Sequence, residues 1–337
     1  MHALVTGGGG FLGREITRQL RSRGDDVTIV GRQPRPTIEA LGAKSIRMDL
    51  TAPGSDLRLL CEGVDAVFHT AAKAGIWGTR ESYYAINVRA TERLVSAARS
   101  AGVARFVHTS SPSVVFERGH NALDASEDKT PYPESYTAFY PETKAIAERF
   151  VLKQNARGFV VTALRPHYIW GPGDPHLLPR VIDRHRTGRL FQIGSGTKVS
   201  LTFIENAAKA HLQACDALDP DRPDKAPAGR AYFVTDDEAV DFWVFISNLL
   251  EQLGDGPVRK KLSYPIARAI SSMMETAWET FGWAGEPPLT PFVVDQLAQS
   301  HWYSSAAAKR DFGYAPDVGH EAALRRTIDA LKDRARA

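Results

Sequence analysis

The chain is poor in cysteine: Cys61 and Cys215 are the only two among 337 residues. They stand far apart and have no metal-ligand partners at useful spacing, so they read as reduced, structural thiols and no metal is expected. Charge of one sign is also scarce. The 42 basic and 39 acidic residues leave a formal charge of +3 without any block of like charge, which argues against nucleic acid as a partner. Long apolar runs are missing too. The stretch Tyr264–Trp283 is interrupted by Arg268, Glu275 and Glu279, short of the ~20 apolar residues a spanning helix needs. It is expected to be a core or lid helix, with weak contact to a membrane surface as the other reading. No internal repeat or low-complexity segment is present. The first strand is expected within a residue or two of Met1, which leaves no room for a signal peptide. A hydrophobic fraction of 43% and a charged fraction of 24% then fit an ordinary globular, cytoplasmic protein.

What is there is a regular alternation. Short apolar runs at His2–Thr6, Val27–Gly31, Ser45–Met48, Ala66–His69, Phe106–Ser110 and Val160–Leu164 predict strands. Between them, Leu12–Arg23, Tyr84–Ala101 and Tyr140–Gln154 carry apolar residues at helical spacing. The pattern predicts an α/β fold, a Rossmann-type doubly wound parallel sheet with a smaller C-terminal substrate-binding lobe. The dinucleotide-binding core is placed at 1–166. The lobe takes most of 167–337, with some segments returning to the core. After Arg165-Pro166 the regularity fades into the turn cluster Gly171–Pro175 and a polar loop, Asp219–Ala228. A strand at Ala231–Val234 and helices at Phe242–Leu253 and Tyr264–Trp283 follow.

The run Thr6-Gly7-Gly8-Gly9-Gly10-Phe11-Leu12-Gly13 follows the first strand and opens the first helix, the context a dinucleotide fingerprint requires. Gly7 permits the tight turn, Gly10 lets the backbone approach a pyrophosphate, and Gly13 lets helix pack on strand. The helix N-terminus then offers free N–H groups to phosphate. The second strand ends Val30-Gly31-Arg32, without the acid that an NAD site places there to accept from the ribose 2′-hydroxyl. A guanidinium can bind a 2′-phosphate bidentately. Arg32, with Arg35 as helper, therefore predicts NADP(H) in preference to NAD(H).

Tyr140-Pro141-Glu142-Thr143-Lys144 puts a phenol and an ammonium four residues apart on one helix face. A cation beside a phenol is expected to lower its pKa toward working pH, so that Tyr140 can exchange a proton with a carbonyl oxygen. The serine run Ser110-Ser111-Pro112-Ser113 closes the fifth strand at the sheet's carboxyl edge. One hydroxyl there could hold the substrate oxygen against Tyr140; Ser111 is preferred, with Ser110 and Ser113 as alternatives.

These residues resemble the extended short-chain dehydrogenase/reductase superfamily over nearly the whole chain. The motifs are Thr6–Gly13, Asp49-Leu50, His69-Thr70-Ala71-Ala72, Asn87, the serine run, Tyr140/Lys144, Leu164-Arg165-Pro166 and Ile169–Asp174. The resemblance implies a catalytic triad of Ser111, Tyr140 and Lys144. It places Asp49 and Leu50 near an adenine, Ala71, Ala72 and Lys73 along the cofactor, and Asn87 in support of the nucleotide side. The segment holding Pro166 and Ile169 would run under the nicotinamide. Within the superfamily the chain is most similar to the 3β-hydroxysteroid dehydrogenase branch. There it most resembles the bacterial reductases of long-chain olefin biosynthesis, on Ala72–Gly78, Ile169–Asp174, Gly285–Thr290 and His301–Ser304. That likeness implies NADPH-dependent reduction of a 2-alkyl-3-oxoalkanoic acid to the 3-hydroxy acid. It also implies a homodimer built on the helices Tyr84–Ala101 and Tyr140–Gln154, and olefin-pathway enzymes as partners.

For the substrate, Ile76, Trp77, Tyr83 and Tyr84 could wall an apolar cavity suited to an alkyl or steroid body. Lys73, His167, His176 and Arg180 are candidates for holding a carboxylate. The alternatives are a 3β-hydroxysteroid or sterol dehydrogenase, a nucleotide-sugar epimerase, and a dinucleotide sensor without turnover.

Overall fold

Seven short apolar segments line up as one parallel sheet: β1 (His2–Thr6), β2 (Asp26–Gly31), β3 (Lys44–Arg47), β4 (Ala66–His69), β5 (Arg105–Thr109), β6 (Val160–Pro166) and β7 (Ala231–Val234). The computed structural model describes residues 1–33, 36–75 and 77–336. The strand order is β7-β6-β5-β4-β1-β2-β3, so the chain reverses direction of travel between β1 and β4. That reversal opens a crevice at the strands' carboxyl ends, where doubly wound sheets bind ligands.

Both faces of the sheet are covered, which is why its strands read as continuous apolar runs and not as alternation. In β1, Ala3 and Val5 belong to one core while Leu4 belongs to the other. The helix α1 (Phe11–Ser22) places Leu12, Ile16 and Leu20 at a four-residue spacing on the first face. It packs beside a helix, Ile204–Ala217, whose fully buried Ala207, Ala208, Ala210 and Ala214 allow close approach. The second face is covered by α2 (Ala90–Ser100), through Leu94, Val95 and Ala98, and by Val151 of α3 (Phe139–Lys153). Each fully buried Val, Leu or Ile side chain among these contributes about 1.5–3 kcal/mol.

The predicted helix at Tyr84–Ala101 is two elements. A π-helical turn spans Tyr84–Arg89, and regular α-helix begins only at Ala90. The extra residue per turn leaves Asn87 buried, with its side chain turned to the loop after β4.

A second sheet, absent from the sequence reading, joins Ala239–Asp241, Lys198–Ser200, His301–Tyr303 and Ala122–Ala125. Its strands have three or four residues, too few to show a period of two. One of them, Ala122–Ala125, comes from the N-terminal half of the chain, while β7 returns from the C-terminal half to pair with β6. The stretch Tyr264–Phe281 is one helix, and among the described residues no helix is long and apolar enough to cross a membrane.

Candidate active site

The glycine loop is built by close approach. Gly7 has φ +69°, and a Cβ on it would stand 2.9 Å from the Ala71 backbone. On Gly13 a Cβ would lie 2.3 Å from the carbonyl oxygen of Gly7. Gly8, which sequence reasoning left without a role, would collide with Ile29 at 2.5 Å. Over Gly10 only the Gly7 carbonyl oxygen comes near, at 3.1 Å, so this backbone stays open to a ligand. The first turn of α1 carries no acid, and its free N–H groups face the crevice unopposed. This cradle fits a dinucleotide pyrophosphate.

A cleft of about 380 Å³ runs from this loop along the strand ends. Gly7, Gly10, Phe11, Leu12 and Gly13 line one end, and Ser110, Ser111, Ser113, Tyr140 and Lys144 lie deeper, with Ala72, Pro166, His167 and Ile169 also on the wall. Arg32, Asp49, Leu50, Ala71, Lys73, Asn87 and Trp77 stand outside this lining. Ile76 and Arg35 fall outside the described residues.

The catalytic candidates converge from two elements, the end of β5 and the helix α3. Ser111 follows β5, and its Oγ accepts from the backbone N of Ser113 at 3.2 Å and from the Ser113 hydroxyl at 3.0 Å. Tyr140 and Lys144 lie on α3, which starts with Pro141 in its first turn. The Lys144 Nζ donates to the Thr109 carbonyl at 2.5 Å and to Nε2 of His108 at 3.3 Å. An ammonium has three protons, so one donor remains for the cleft that Lys144 lines. Burial pushes the Lys144 pKa down to about 8. It also holds the neighbouring His108 and His69 neutral, the latter at about 3.

The expected lowering of the Tyr140 pKa is not what the structure has. Burial raises it, and the Ser111 hydroxyl pulls only partly the other way. The reason is direction: the Lys144 ammonium is turned to Thr109 and His108, at the end of β5, and not to the phenol. Tyr140 therefore keeps its proton throughout the neutral range, the state a proton donor needs.

Several expectations on the substrate side need correction. The Lys73 ammonium donates to Ser82 Oγ at 2.7 Å and lies over the Tyr83 ring, so it is turned away from the cleft. The Arg180 guanidinium pairs with Glu286. Tyr83 is buried, with its hydroxyl donating to the Trp77 carbonyl at 3.3 Å, and neither it nor Tyr84 walls the cleft. Asn87 spends its amide on the protein: Oδ1 accepts from Lys73 N at 2.8 Å and Nδ2 donates to Thr143 Oγ1 at 3.0 Å. It ties the loop after β4 to α3 and so supports the cofactor wall without lining it.

The wall includes residues that sequence reasoning missed. Phe292 and Gln296 reach it from the helix Pro291–Ala298, and Tyr168 from the turn after β6. No local signal marks the first two, which are brought in by the lobe. Asp174 also lines the cleft, but its carboxylate accepts from the backbone N of His176, Leu177 and Leu178 and caps the helix Leu177–Arg186.

Known proteins resemble this chain over nearly its whole length. Residues 4–264 match the 3-beta hydroxysteroid dehydrogenase/isomerase family. A 2-alkyl-3-oxoalkanoate reductase of Stenotrophomonas maltophilia is 44% identical over 97% of this chain and 98% of its own. The sterol-4-alpha-carboxylate 3-dehydrogenase (decarboxylating) of Mus musculus is 33% identical over 97% of this chain and 90% of its own. Among solved structures, MoeE5 in complex with UDP-glucose and NAD aligns with a TM-score of 0.76 and 26% identity, covering 99% of this chain and 100% of that one. The chain thus belongs to the 3-beta hydroxysteroid dehydrogenase/isomerase family, within the NAD(P)-dependent oxidoreductases of the extended short-chain dehydrogenase/reductase type that act on hydroxyl and keto groups.

Proposed function

We propose that this enzyme reduces a 2-alkyl-3-oxoalkanoic acid to the 2-alkyl-3-hydroxyalkanoic acid with NADPH. The observation that carries the reading is Tyr140 beside the Ser111 hydroxyl on the wall of a cleft that also takes in the glycine loop. The 44% identity to a 2-alkyl-3-oxoalkanoate reductase over nearly the full length of both chains supports the choice of substrate.

A reduced nicotinamide, when bound, supplies the hydride equivalent to the carbonyl carbon. Gly7, Gly10, Phe11, Leu12 and Gly13 would hold its pyrophosphate, Ala72, Pro166 and Ile169 the nicotinamide end, and Arg32, Asp49 and Leu50 the adenosine end. Ser111 donates to the ketone oxygen and fixes it near Tyr140. Tyr140 then gives its proton to that oxygen as negative charge develops there. Lys144, anchored on Thr109, holds α3 and with it Tyr140 against the end of β5, and leaves one N–H for the cleft.

The preference for NADPH rests on Arg32, which is exposed at the end of β2 with no acid beside it in sequence. The nearby Asp49 spends Oδ1 on the Thr51 backbone N at 2.8 Å and its hydroxyl at 2.7 Å. A nucleotide-sugar epimerase would need cations for a diphosphate. Among the described residues, Lys144 is the only Lys or Arg lining the cleft, and it is engaged with Thr109. A homodimer, cytoplasmic location and contact with olefin-pathway enzymes complete this reading.

The test is NADPH oxidation with a long-chain 2-alkyl-3-keto acid and with a 3-ketosteroid, in wild type and in Tyr140→Phe and Ser111→Ala. Turnover of the keto acid should fall by about 10²–10⁴ in Tyr140→Phe and by about 10²–10³ in Ser111→Ala. Turnover of the steroid alone would replace the substrate assignment, and full activity in Tyr140→Phe would overturn the mechanism.

A further inference from the structure

We infer that His167 and Gln296 read the acid group of the substrate, as two neutral N–H donors fixed by their neighbours on the cleft wall. The inference rests on the keto-acid reading above and deepens it.

His167 follows β6 directly and is 5% exposed, yet it lines the cleft. Its Nδ1 lies 3.0 Å from Ser200 Oγ. That hydroxyl oxygen already accepts from the backbone N of Tyr303 at 3.3 Å, so its proton is available for Nδ1. The assignment puts the ring proton on Nε2, which has no hydrogen-bond partner among the described residues. The ring cannot turn freely: it stacks on Tyr168 at 4.2 Å and meets His301 and Tyr303 edge-on at 4.9 and 5.2 Å. Burial also holds it neutral.

Gln296 stands on the same wall. Its Oε1 accepts from the Tyr168 hydroxyl at 3.2 Å, which directs the amide N–H groups elsewhere. The backbone at Tyr168 adopts φ +38°, an uncommon state for an aromatic residue and one that concentrates at ligand-binding positions. One strained tyrosine thus touches both donors.

The chemistry selects an acceptor. Among the described residues, the one carboxylate on the wall around these donors is that of Asp174, whose oxygens are spent on helix capping. Lys73 and Arg180, the cations sequence reasoning offered for this task, are engaged elsewhere. A carboxylate has two oxygens and accepts only, so it can satisfy both donors, and a buried donor left without a partner is costly. An ester or a plain ketone supplies fewer and weaker acceptors.

The experiment compares kcat/KM for a 2-alkyl-3-oxoalkanoic acid, for its methyl ester and for the ketone that remains when the acid loses carbon dioxide. Wild type should prefer the acid. His167→Phe removes the ring donor, and Gln296→Glu keeps the side-chain shape while opposing a second negative charge. Each should lower the acid-to-ester ratio by about tenfold to a hundredfold, with the loss in KM for the acid more than in kcat. A ratio unchanged in both variants, or a wild type that treats acid and ester alike, overturns the inference while leaving ketone reduction intact. Failure of wild type to reduce any of the three compounds would instead overturn the proposed function. Should His167→Phe not fold, Gln296→Glu decides alone.

Discussion

The Lys144 ammonium donates to the backbone carbonyl of Thr109 at 2.5 Å and so pins α3 to the carboxyl end of β5. This bond sets the distance between the strand that carries the serines and the helix that carries Tyr140. It also removes a buried cation from water, which costs free energy that other contacts must offset.

That cost has a pH signature. Burial lowers the Lys144 pKa from 10.5 to about 8. Between those two values the unfolded chain binds a proton that the folded chain has released, so stability rises with pH across this window. Lys144→Met lacks this dependence. Denaturant unfolding should show the variant gaining on wild type at pH 7, with the difference shrinking by roughly 3 kcal/mol as pH climbs to about 10. Activity should move the other way in wild type, with kcat/KM declining as pH passes about 8 and the charge is lost. A stability difference that does not change with pH would show that Lys144 is not buried as a cation.

Arg32 should set the cofactor choice. Arg32→Ala should lower the NADPH-to-NADH ratio of kcat/KM by about tenfold to a hundredfold, the worth of one charge-assisted contact to phosphate. Arg32→Glu should invert the preference by repelling the 2′-phosphate. Steady-state kinetics with both cofactors checks this, and an unaltered ratio would assign the preference to another residue.

The glycines of the loop should differ in what they tolerate. Gly13→Ala drives a methyl group toward the backbone carbonyl of Gly7, to 2.3 Å, where neither partner can give way without moving helix or strand. Gly8→Ala meets Cγ2 and Cβ of Ile29 at 2.5 and 2.6 Å, with the Val5 carbonyl oxygen farther off at 3.1 Å. Both should weaken NADPH binding, measured by fluorescence titration. Combining Gly8→Ala with Ile29→Ala should recover only part of the affinity, because Cβ of residue 29 stays 2.6 Å away, whereas no trimming of a side chain relieves Gly13→Ala. The expected strain is about 1–3 kcal/mol or more.

Behind the site, Glu148 on α3 and Arg165 on β6 form a buried pair, with Oε1 and Oε2 accepting from Nη2 and Nε at 2.6 and 2.9 Å. The Arg165 guanidinium and the hydrogen bonds around it hold the Glu148 carboxyl below the ordinary 4.5, against the cost of burial. A lowered acid contributes stability that is present above its unfolded value and is lost as pH falls through the folded one. Glu148→Gln leaves the guanidinium buried without a counter-charge and should cost about 3–5 kcal/mol at pH 7. The gap to wild type should close as pH drops below about 4.5. Urea denaturation at pH 7 and pH 3.5 checks both parts.

Most of the central sheet was legible from the chain. The strands at His2–Thr6, Ala66–His69 and Ala231–Val234 match their apolar runs residue for residue, and the other strands are shifted by a residue or two at their ends. The glycine loop was legible because its spacing and its place between strand and helix are local facts. Tyr140, Lys144 and Ser111 were legible as residue types at set distances along the chain. Their state was not: the phenol's raised pKa depends on which way the Lys144 ammonium turns, and Thr109 and His108 decide that.

The parallel sheet, the order of its elements and the candidate residues for the chemistry can be read along the chain, because periodicity, glycine freedom and i to i+4 spacing act over short stretches. Which side chains face the cleft follows from the folded arrangement alone. It turned Lys73 and Arg180 to Ser82 and Glu286, and it brought Gln296 and Tyr168 together across 128 residues of sequence. The lobe strands that carry this out are three or four residues long and are held by pairing with distant segments. Short strands stabilised by remote partners leave no periodic trace in their own residues.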